Sequence, residues 1–419
     1  MIALVDCNSF YASCERAFNP SIRHLPVIVL SNNDGCVISL TAEAKALGIK
    51  MGTPYFMLKE LIKQHNIQVF SSNYTLYGDM SNRVMQTLST FTPHIEVYSI
   101  DESFLDVGHF YKKDLHSYAW QIKERVLQWT KIPISVGIAK TKTLAKIANR
   151  LAKKSPKAKG VLVLQEPAHV EAALKRTEIS DVWGIGRQHT NFLQKYGIHN
   201  AYEFTQQPDA WVKKHLTVVG LRMLRELRGE PCLELEEVMP QKQNICTSRS
   251  FGTPVTTLDG LLEATATYAS KCAYKLRQQA SCAAAITVFA TTNRYADTPQ
   301  YYNSKTIQLP DPANCDLYLI KYANMALRSI YREGFSYKKV GVIVSDFVPE
   351  NNLQLGLFSG IDTGKHKDLM QALDSLNSRY GRSTVKAAAL GITNAWTLKR
   401  EKLSPCYTTR LEDLLVAKL

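Results

Sequence analysis

The sequence predicts an α+β protein built from several domains. With 419 residues and 47.1 kDa, the chain is too long for one ordinary hydrophobic core, so two to four domains are expected. The first 165 residues follow the order β-α-β-β-α-β, and a helical pattern at about 166–235 separates them from a second α/β pattern at about 243–348. The first pattern predicts a sheet that contains antiparallel strands and is covered by helices on one face.

The elements of the first pattern follow from their residues. Ile2 to Val5 form a short apolar strand that ends at Asp6. The segment LPVIVLSNNDGCVISL at 25–40 has two apolar runs around an Asn-Asp-Gly turn, which predicts a hairpin. The other predicted elements are a short helix ended by Gly48, a helix at 73–91, a strand at 95–107, a helix at about 115–130, a strand at 132–140, a helix at 141–154 and a strand at 161–164.

The charge balance favours a polyanionic partner. The chain has 51 Lys and Arg against 37 Asp and Glu, a formal net charge of +14. Such an excess is typical of nucleic-acid-binding proteins, and proteins that bind ribosomes or acidic partners share it. The nine cysteines are scattered singly, which predicts reduced thiols and no zinc site. Since no long apolar run and no basic-then-apolar leader is present, we expect a cytoplasmic protein that does not associate with membranes.

Two adjacent carboxylates stand inside a strand-like segment. In VYSIDESFLDV at 97–107, Asp101 and Glu102 have apolar flanks, and burying unpaired carboxylates is costly. Asp6 ends another strand, so the three acids converge at one sheet edge if the strands are neighbours. Three close carboxylates require cations, and oxygen ligands are typical of Mg²⁺ and Mn²⁺. For each acid taken alone, a helix-capping or strand-ending role is the alternative.

A pair of such ions would catalyse in-line phosphoryl transfer by binding the attacking and leaving oxygens. The phosphates of a substrate also need positive groups, and residues 140–159 contain eight Lys and Arg and no acid. Most residues of such a run are expected on a solvated helix face, with one or two reaching a triphosphate. Lys45 is a second candidate of this kind. The residues alone therefore indicate a two-metal phosphoryl transferase that acts on nucleic acid.

Several motifs in the chain resemble those of the Y-family DNA polymerases. They are DCNSFYASCE, SNNDGCVI, AEAKALGIKMG, SSNYTLYGDMS, VYSIDESFLD, SVGIAKTKTLAKIAN and VWGIG. The sequence is similar in particular to the UmuC group, the catalytic subunit of bacterial DNA polymerase V and plasmid-borne relatives such as MucB and RumB. This similarity extends to SRSFG at 248–252, QLGLF at 354–358 and LSPCYTTR at 403–410. It implies the catalytic subunit of an error-prone translesion DNA polymerase of the SOS response, without a proofreading exonuclease.

The resemblance implies a right-hand polymerase fold of the α+β multidomain class. It has a palm, small fingers, a helical thumb with a helix-hairpin-helix, an α/β little finger and a C-terminal tail. The implied boundaries are 1–22 and 72–165 for the palm, 23–71 for the fingers, 166–238 for the thumb, 239–349 for the little finger and 350–419 for the tail with a clamp-binding peptide.

The resemblance also assigns roles at the catalytic centre. Asp6, Asp101 and Glu102 would be the catalytic carboxylates, and they would bind two Mg²⁺ ions, or Mn²⁺, together with the backbone carbonyl of Cys7. Tyr11 would be the steric gate, whose ring collides with a ribose 2′-hydroxyl. Phe10 beside it is a second gate candidate, with packing in the core as the alternative.

Further residues are implied to contact the incoming nucleotide. Ser39, Lys45 and Lys153 fall where the family contacts the triphosphate, and Ile38 falls where small or apolar residues cover the nascent base pair. Lys45 stands where many archaeal relatives carry Arg, so this contact would lack the bidentate geometry of a guanidinium. A small cover over the base pair would tolerate distorted templates at the expense of selectivity.

The remaining implied contacts are with DNA and protein partners. Backbone N–H groups near Gly184 and Gly186 would bind a DNA phosphate, and Arg249 would contact the template backbone. The segment QLGLF resembles a sliding-clamp-binding peptide, in which Gln354, Leu355, Leu357 and Phe358 are the anchors. The implied partners are primer-template DNA, dNTPs, a UmuD′-like dimer, RecA with ATP and the sliding clamp.

Two other functions share some of these features. A nucleotide cyclase has a palm with paired carboxylates, but it has no use for a helix-hairpin-helix, a basic second domain or a clamp peptide. A non-catalytic DNA-binding scaffold would use the carboxylates structurally, so Mg²⁺ would not affect its nucleotide binding. The distribution of motifs along the chain favours the polymerase.

Overall fold

The chain folds into two units and returns to the first after completing the second. The computed structural model describes residues 1–110, 114–238, 240–353, 363–381, 383–392, 396 and 398–416. The first unit comprises Met1–Met239 and Glu401–Leu419, and the second comprises Pro240–Arg400. The second unit is therefore an insertion with two covalent connections to the first.

The strands of the first unit form two sheets. They are β1 (Ile2–Cys7), β2 (Val27–Leu30), β3 (Val37–Leu40), β4 (Gln68–Ser71), β5 (Ile95–Val97), β6 (Glu102–Asp106), β7 (Ile134–Ala139) and β8 (Val161–Leu164). The larger sheet has the order β5-β6-β1-β7-β8, in which only the β7–β8 pair is parallel. The smaller sheet has the order β3-β2-β4, and its antiparallel β2–β3 pair confirms the hairpin predicted at 25–40.

Helices cover both sheets and continue into the segment at about 166–235, where the predicted helical pattern is confirmed. They are α1 (Phe10–Phe18), α2 (Ala42–Ala46), α3 (Lys59–Gln64), α4 (Tyr74–Ser89), α5 (Leu115–Thr130), α6 (Lys142–Lys154), α7 (Pro167–Lys175), α8 (Arg187–Lys195), α9 (Ala201–Thr205) and α10 (Asp209–Leu227). Helix α10 is interrupted at Thr217, whose φ of 64° is outside the helical range. No helix in the described part of the chain is both long and apolar enough to cross a lipid bilayer.

The segment predicted as one strand at 95–107 is a hairpin. β5 pairs antiparallel with β6, and residues 98–101 form the turn between them. The Ser99 hydroxyl oxygen accepts the backbone N–H of Asp101 at 3.2 Å and of Glu102 at 3.0 Å. Such local side-chain bonding favours a turn over an extended chain, so the prediction of one continuous strand was wrong. Asp101 therefore lies in the turn, and Glu102 begins β6.

Helices pack on both faces of the larger sheet. Ala3 and Val5 of β1 belong to a core that includes α4 and α5, whereas Leu4 belongs to a second core that includes α6. The expectation of helices on one face was therefore wrong. Since consecutive residues of β1 are apolar, both faces of this strand must be covered from water.

Helix α6 is in direct backbone contact with β7. A Cβ atom at Gly137 would lie 2.1 Å from the Asn149 backbone nitrogen and 2.6 Å from the Ala145 carbonyl oxygen. The Asn149 side-chain amide donates to the carbonyl oxygens of Leu4 at 3.2 Å and Ser135 at 2.8 Å. Glycine at position 137 thus allows α6 to lie against the strands that carry the acidic residues.

The second unit is a separate α/β layer. Its strands β9 (Ile245–Val255), β10 (Ser281–Thr292), β11 (Tyr302–Ala313) and β12 (Tyr337–Pro349) form an antiparallel sheet in the order β11-β10-β12-β9. Helices α11 (Leu258–Gln278) and α12 (Asp316–Ile330) share one core with the sheet. Helix α13 (Thr363–Tyr380) is tied to α11 by the Arg277–Asp374 ion pair at 2.7 Å. Each of the nine cysteines, all in the described part of the chain, is a free thiol.

The substitution Gly137→Ala is expected to destabilise the first unit. Its methyl group would clash with backbone atoms of α6, so the free energy of unfolding should fall by about 3 kcal/mol. Denaturant titration of both variants measures the effect. The control is Gly78→Ala, since Gly78 is exposed within α4 with nothing near its Cβ position. This substitution should raise the free energy of unfolding by up to about 1 kcal/mol. Equal unfolding midpoints for wild type and Gly137→Ala would contradict the close contact.

Candidate active site

The pairing of β1 with β6 brings the three predicted carboxylates together. Asp6 is the register partner of Glu102. The Cys7 backbone N–H donates to the Asp101 carbonyl oxygen at 2.8 Å, so the Asp101 turn is fixed to the end of β1. The convergence of Asp6 with Asp101 and Glu102, expected from the sequence if their strands were neighbours, is therefore observed.

Lysines of α6 pair with two of these acids. Lys153 Nζ lies 2.5 Å from Asp6 Oδ1, and Lys146 Nζ lies 3.0 and 3.1 Å from the two Glu102 carboxylate oxygens. Asp101 Oδ1 accepts a hydrogen bond from the Ser99 hydroxyl at 2.7 Å. Burial raises the pKa of Asp6 to about 6; Lys153 opposes this rise, and Glu102 and Asp101 add to it. Lys153 therefore offsets the cost of burying the Asp6 carboxylate only in part.

The donor set fits hard divalent cations. Three carboxylates and the Cys7 carbonyl offer only oxygen atoms, which Mg²⁺ and Mn²⁺ prefer. Among the described residues, no three His, Cys, Asp or Glu side chains already surround one point, and two of the acids are instead paired with Lys153 and Lys146. A divalent cation would relieve the same repulsion that these lysines now relieve.

Aromatic rings hold Lys146 in addition to Glu102. Its Nζ lies 4.5 Å from the ring centroid of Tyr98, 5.2 Å from that of Trp183 and 5.7 Å from that of Phe104. These distances are typical of cation–π contacts. Sequence reasoning counted Lys146 among the basic residues of its run without giving it a specific role. Its spacing of seven residues from Lys153, two turns on one helix face, is the signal that could have found it.

Three other basic residues of this run also have acidic partners outside the run. Lys142, which is 4% exposed, pairs with Glu96, and Arg150 and Lys154 pair with Asp181. Lys142 is therefore buried and does not lie on the solvated helix face expected for this run. A buried carboxylate from β5 compensates its charge.

A basic cleft opens beside the turn between β1 and α1. It has a volume of about 510 Å³, and Asn8 and Ser9 form part of its wall. Its cationic lining comes from α2, α5, α6 and the loop after α6: Lys45, Lys123, Lys153, Lys154 and Lys159. Burial lowers the pKa of Lys123. The cleft thus brings together Lys45 and Lys153, the two lysines that the resemblance assigns to a triphosphate.

The two other nucleotide candidates lie on β3. Ser39 is 8% exposed, and its hydroxyl oxygen accepts the backbone N–H of Ala12 at 3.3 Å. This hydroxyl therefore joins β3 to α1. Ile38, the next residue on the strand, is half-buried. Neither Ser39 nor Ile38 lines the basic cleft.

Tyr11 belongs to a group of stacked rings. It stacks on Tyr77 with 4.4 Å between centroids and an interplanar angle of 14°, and it meets Tyr74 edge-on at 6.1 Å. Burial raises the pKa of Tyr11, and the charges of Tyr74 and Asp101 add to the rise. Phe10 is 3% exposed and lies in the core, as the packing alternative expects.

A buried carboxylate stands behind this stack. Glu15 Oε1 accepts hydrogen bonds from the Tyr77 hydroxyl at 2.5 Å and from the Ser404 hydroxyl at 3.0 Å. Burial raises the pKa of Glu15 to about 7, and both hydrogen bonds oppose the rise. Sequence reasoning missed Glu15, because one of its partners is 389 residues away along the chain.

The glycine turn predicted to bind DNA lies before α8. Gly184 has a φ of +90°, and a Cβ there would lie 2.7 Å from the Met223 side chain, so both conformation and space favour glycine. Gly186 precedes α8 and has open space around it. The element before the turn is a short 3₁₀ helix at Ile179–Asp181, and α8 follows the turn.

Arg249 lies on β9, an edge strand of the second unit, and is exposed. Thr247 on the same strand contacts Cys272 Sγ of α11 at 3.2 Å, and Phe251 is in the core. Strand alternation therefore places Arg249 on the helix-covered side of the sheet, at its margin.

The clamp-peptide residues Gln354, Leu355, Leu357 and Phe358 lie outside the described residues.

Comparison with known proteins gives the family. A model described as the impB/mucB/samB family matches residues 5–150, and the model of its C-terminal domain matches residues 242–357. The chain is 45% identical to Protein UmuC of Salmonella typhimurium over 423 residues, which covers 100% of both chains. The chain belongs to the impB/mucB/samB family. It is a UmuC-group member of the Y-family DNA polymerases, as the motifs predicted.

Further relatives support the same family assignment, and a solved structure supports the fold. It is 40% identical to Protein MucB of Escherichia coli over the full length of both chains, and 30% identical to DNA polymerase IV of Dehalococcoides mccartyi over 91% of this chain and 95% of that one. A solved Y-family DNA polymerase chimera superposes with a TM-score of 0.67 at 23% identity, covering 83% of this chain and 99% of that one. This similarity confirms the predicted α+β polymerase fold. A domain of unknown function matches residues 367–417.

The raised pKa of Glu15 predicts a pH-dependent stability. The folded state holds this proton up to about pH 7, whereas the unfolded chain releases it near 4.5, so stability should fall as pH rises between these values. The loss is about 3 kcal/mol, complete above pH 7. Glu15→Gln should remove this part of the decline.

Denaturant titrations at pH 5 and pH 8 measure the decline for each variant. Glu60→Gln on the exposed side of α3 controls for the loss of one carboxylate elsewhere in the same unit. Parallel pH profiles for wild type and Glu15→Gln would show that Glu15 does not titrate in this range.

Proposed function

We propose that this chain is the catalytic subunit of an error-prone translesion DNA polymerase that transfers dNMP to a primer 3′-hydroxyl in the SOS response. Its family membership makes it a DNA-directed DNA polymerase with divalent-metal chemistry. The observation that supports a catalytic centre in this chain is the pairing of Asp6 with Glu102, next to Asp101 and beside a lysine-lined cleft.

The residues that would hold two Mg²⁺ ions, or Mn²⁺, are Asp6, Asp101, Glu102 and the Cys7 carbonyl. When bound, the metals lower the pKa of the primer 3′-hydroxyl and stabilise charge on the leaving pyrophosphate. The protein contributes a fixed arrangement of ligands, because β1 and β6 are hydrogen-bonded neighbours and the Ser99 hydroxyl orders the Asp101 turn.

Lys153 and Lys45 bind the triphosphate of the incoming dNTP. Lys153 both contacts Asp6 and lines the cleft, so its ammonium group can turn to phosphate once Asp6 serves as a metal ligand. Lys45 approaches the same cleft from α2. Ser39, buried against α1, orients the strand that carries Ile38 over the base pair. The fingers are small, since residues 23–71 contain three short strands and two short helices, which suits tolerance of damaged templates.

Primer-template DNA is held by contacts that do not read sequence. The exposed turn at Gly184 and Gly186 presents backbone N–H groups at the start of α8 to a phosphate, and Arg249 on β9 contacts the template backbone. A UmuD′-like dimer, RecA with ATP and the sliding clamp act as protein partners. These partners are the ones implied by the resemblance of the sequence motifs to the UmuC group.

Asp101→Ala should abolish primer extension across an abasic site, with a loss of about a hundredfold or more, because a metal ligand is removed. The assay contains the full chain, a UmuD′-like partner, RecA and ATP, and each partner is also omitted in turn. The control is Asp106→Asn at the other end of β6, where Asp106 pairs with Ile2. It should extend primers as the wild type does. A wild-type assembly no more active than Asp101→Ala would refute the polymerase assignment.

Tyr11→Ala should admit ribonucleotides while it retains use of deoxyribonucleotides. Without the ring that stacks on Tyr77, nothing at this position would collide with a 2′-hydroxyl. The ratio of kcat/KM for a dNTP to that for the matching rNTP should fall at least about tenfold, since steric rejection depends on this one contact. An unchanged ratio would place the gate at another residue.

A further inference from the structure

The C-terminal segment of the described chain is bound to the first unit next to the Tyr11 stack. We call residues 401–413 the C-terminal clip. The Lys402 carbonyl oxygen accepts the Ser71 backbone N–H at 2.9 Å, and the Lys402 backbone N–H donates to the Ser71 hydroxyl at 3.0 Å. Tyr407 stacks on Phe18 of α1, with 4.9 Å between ring centroids. The clip thus contacts both β4 and α1.

Asn73 connects the clip to the start of α4. Its Oδ1 accepts the Leu76 backbone N–H at 3.2 Å and thereby caps the helix that carries Tyr77. Its amide group donates to the Ser404 carbonyl and hydroxyl oxygens at 2.9 and 3.1 Å and to the Pro405 carbonyl oxygen at 3.2 Å. Asn73 and Ser404 are both buried, so these hydrogen bonds are shielded from water.

The hydrogen bonds continue from the clip to the proposed gate. The Ser404 hydroxyl, which accepts from Asn73, donates to Glu15, and the same Glu15 oxygen accepts the Tyr77 hydroxyl. The fully buried Tyr77 ring then stacks on Tyr11. Tyr77 is therefore held at its hydroxyl by Glu15 and at its backbone by the helix that Asn73 caps. Both of these supports contact Ser404.

We propose that the C-terminal clip is a positioning element for sugar selection, in which Ser404, through Glu15 and Tyr77, fixes the ring of Tyr11. This inference depends on the proposed role of Tyr11 as the steric gate. A collision between a ring and a hydroxyl group rejects ribonucleotides only while the ring stays in place, and a displacement of about 1 Å can alter such a site strongly. The clip lies within the domain of unknown function matched at 367–417, so the proposal assigns a role to the end of that domain.

Ser404→Ala should lower the dNTP-to-rNTP ratio of kcat/KM by about tenfold, the effect of losing one buried hydrogen bond. The change should appear in the rNTP value, while kcat/KM for the dNTP stays near that of the wild type. Tyr77→Phe keeps the ring but removes its bond to Glu15, and it should relax selection to a similar extent. In the double variant, the selection ratio should fall by less than the product of the two single fold-changes, because both changes interrupt one chain of contacts.

Ser404→Thr retains the hydroxyl and should retain wild-type selection. Thr130→Val removes a buried hydroxyl at the end of α5, away from the clip, and controls for a general loss of stability. All variants are compared on undamaged primer-template in the full assembly, with Tyr11→Ala alongside. If Tyr11→Ala relaxes selection but Ser404→Ala and Tyr77→Phe do not, the clip is only a structural anchor and the proposal is refuted. If Tyr11→Ala also changes nothing, the gate assignment itself fails.

Discussion

The register of β1 against β6 places acidic side chains opposite each other in a partly buried position, and the neighbouring structure offsets their repulsion. Asp6 faces Glu102, and Asp101 is fixed beside them by its carbonyl bond to Cys7. The compensating charges come from α6, which directs Lys146 and Lys153 toward the acids from one of its faces. The helix can supply them because Gly137 has no side chain between it and β7. The acidic cluster, the lysines and the glycine therefore form one connected arrangement.

The same arrangement links cation binding to phosphate binding. Lys153 lies on the border between the two regions, since it contacts Asp6 and also lines the basic cleft. A cation that satisfied Asp6 would leave the ammonium group of Lys153 available on the cleft side. Lys146 differs, because three aromatic rings surround its ammonium group near Glu102. One lysine is thus suited to move between partners, and the other is suited to hold a carboxylate in place.

Local sequence patterns predicted most strands and helices and the meeting of Asp6 with Asp101 and Glu102. They failed where a side chain or a distant contact decided the outcome. The Ser99 hydroxyl turns the chain between β5 and β6, although residues 95–107 look continuous in apolar pattern. The bonds of Glu15 and Asn73 to Ser404 could not be predicted, because the clip lies more than 300 residues later in the chain. Periodicity reports which face is apolar, and it carries no information about such pairings.

The nested order of the two units also has a consequence for biosynthesis. Asn73 and Ser404 are separated by 331 residues, and the whole second unit is translated between them. Domains fold largely in the order in which they leave the ribosome, so the clip contacts that support the Tyr11–Tyr77 stack form last. Until Ser404 emerges, Glu15 and the cap of α4 lack their partners in the clip. A nascent or shortened chain therefore possesses the acidic residues of the catalytic centre before it possesses the complete support for its tyrosine stack.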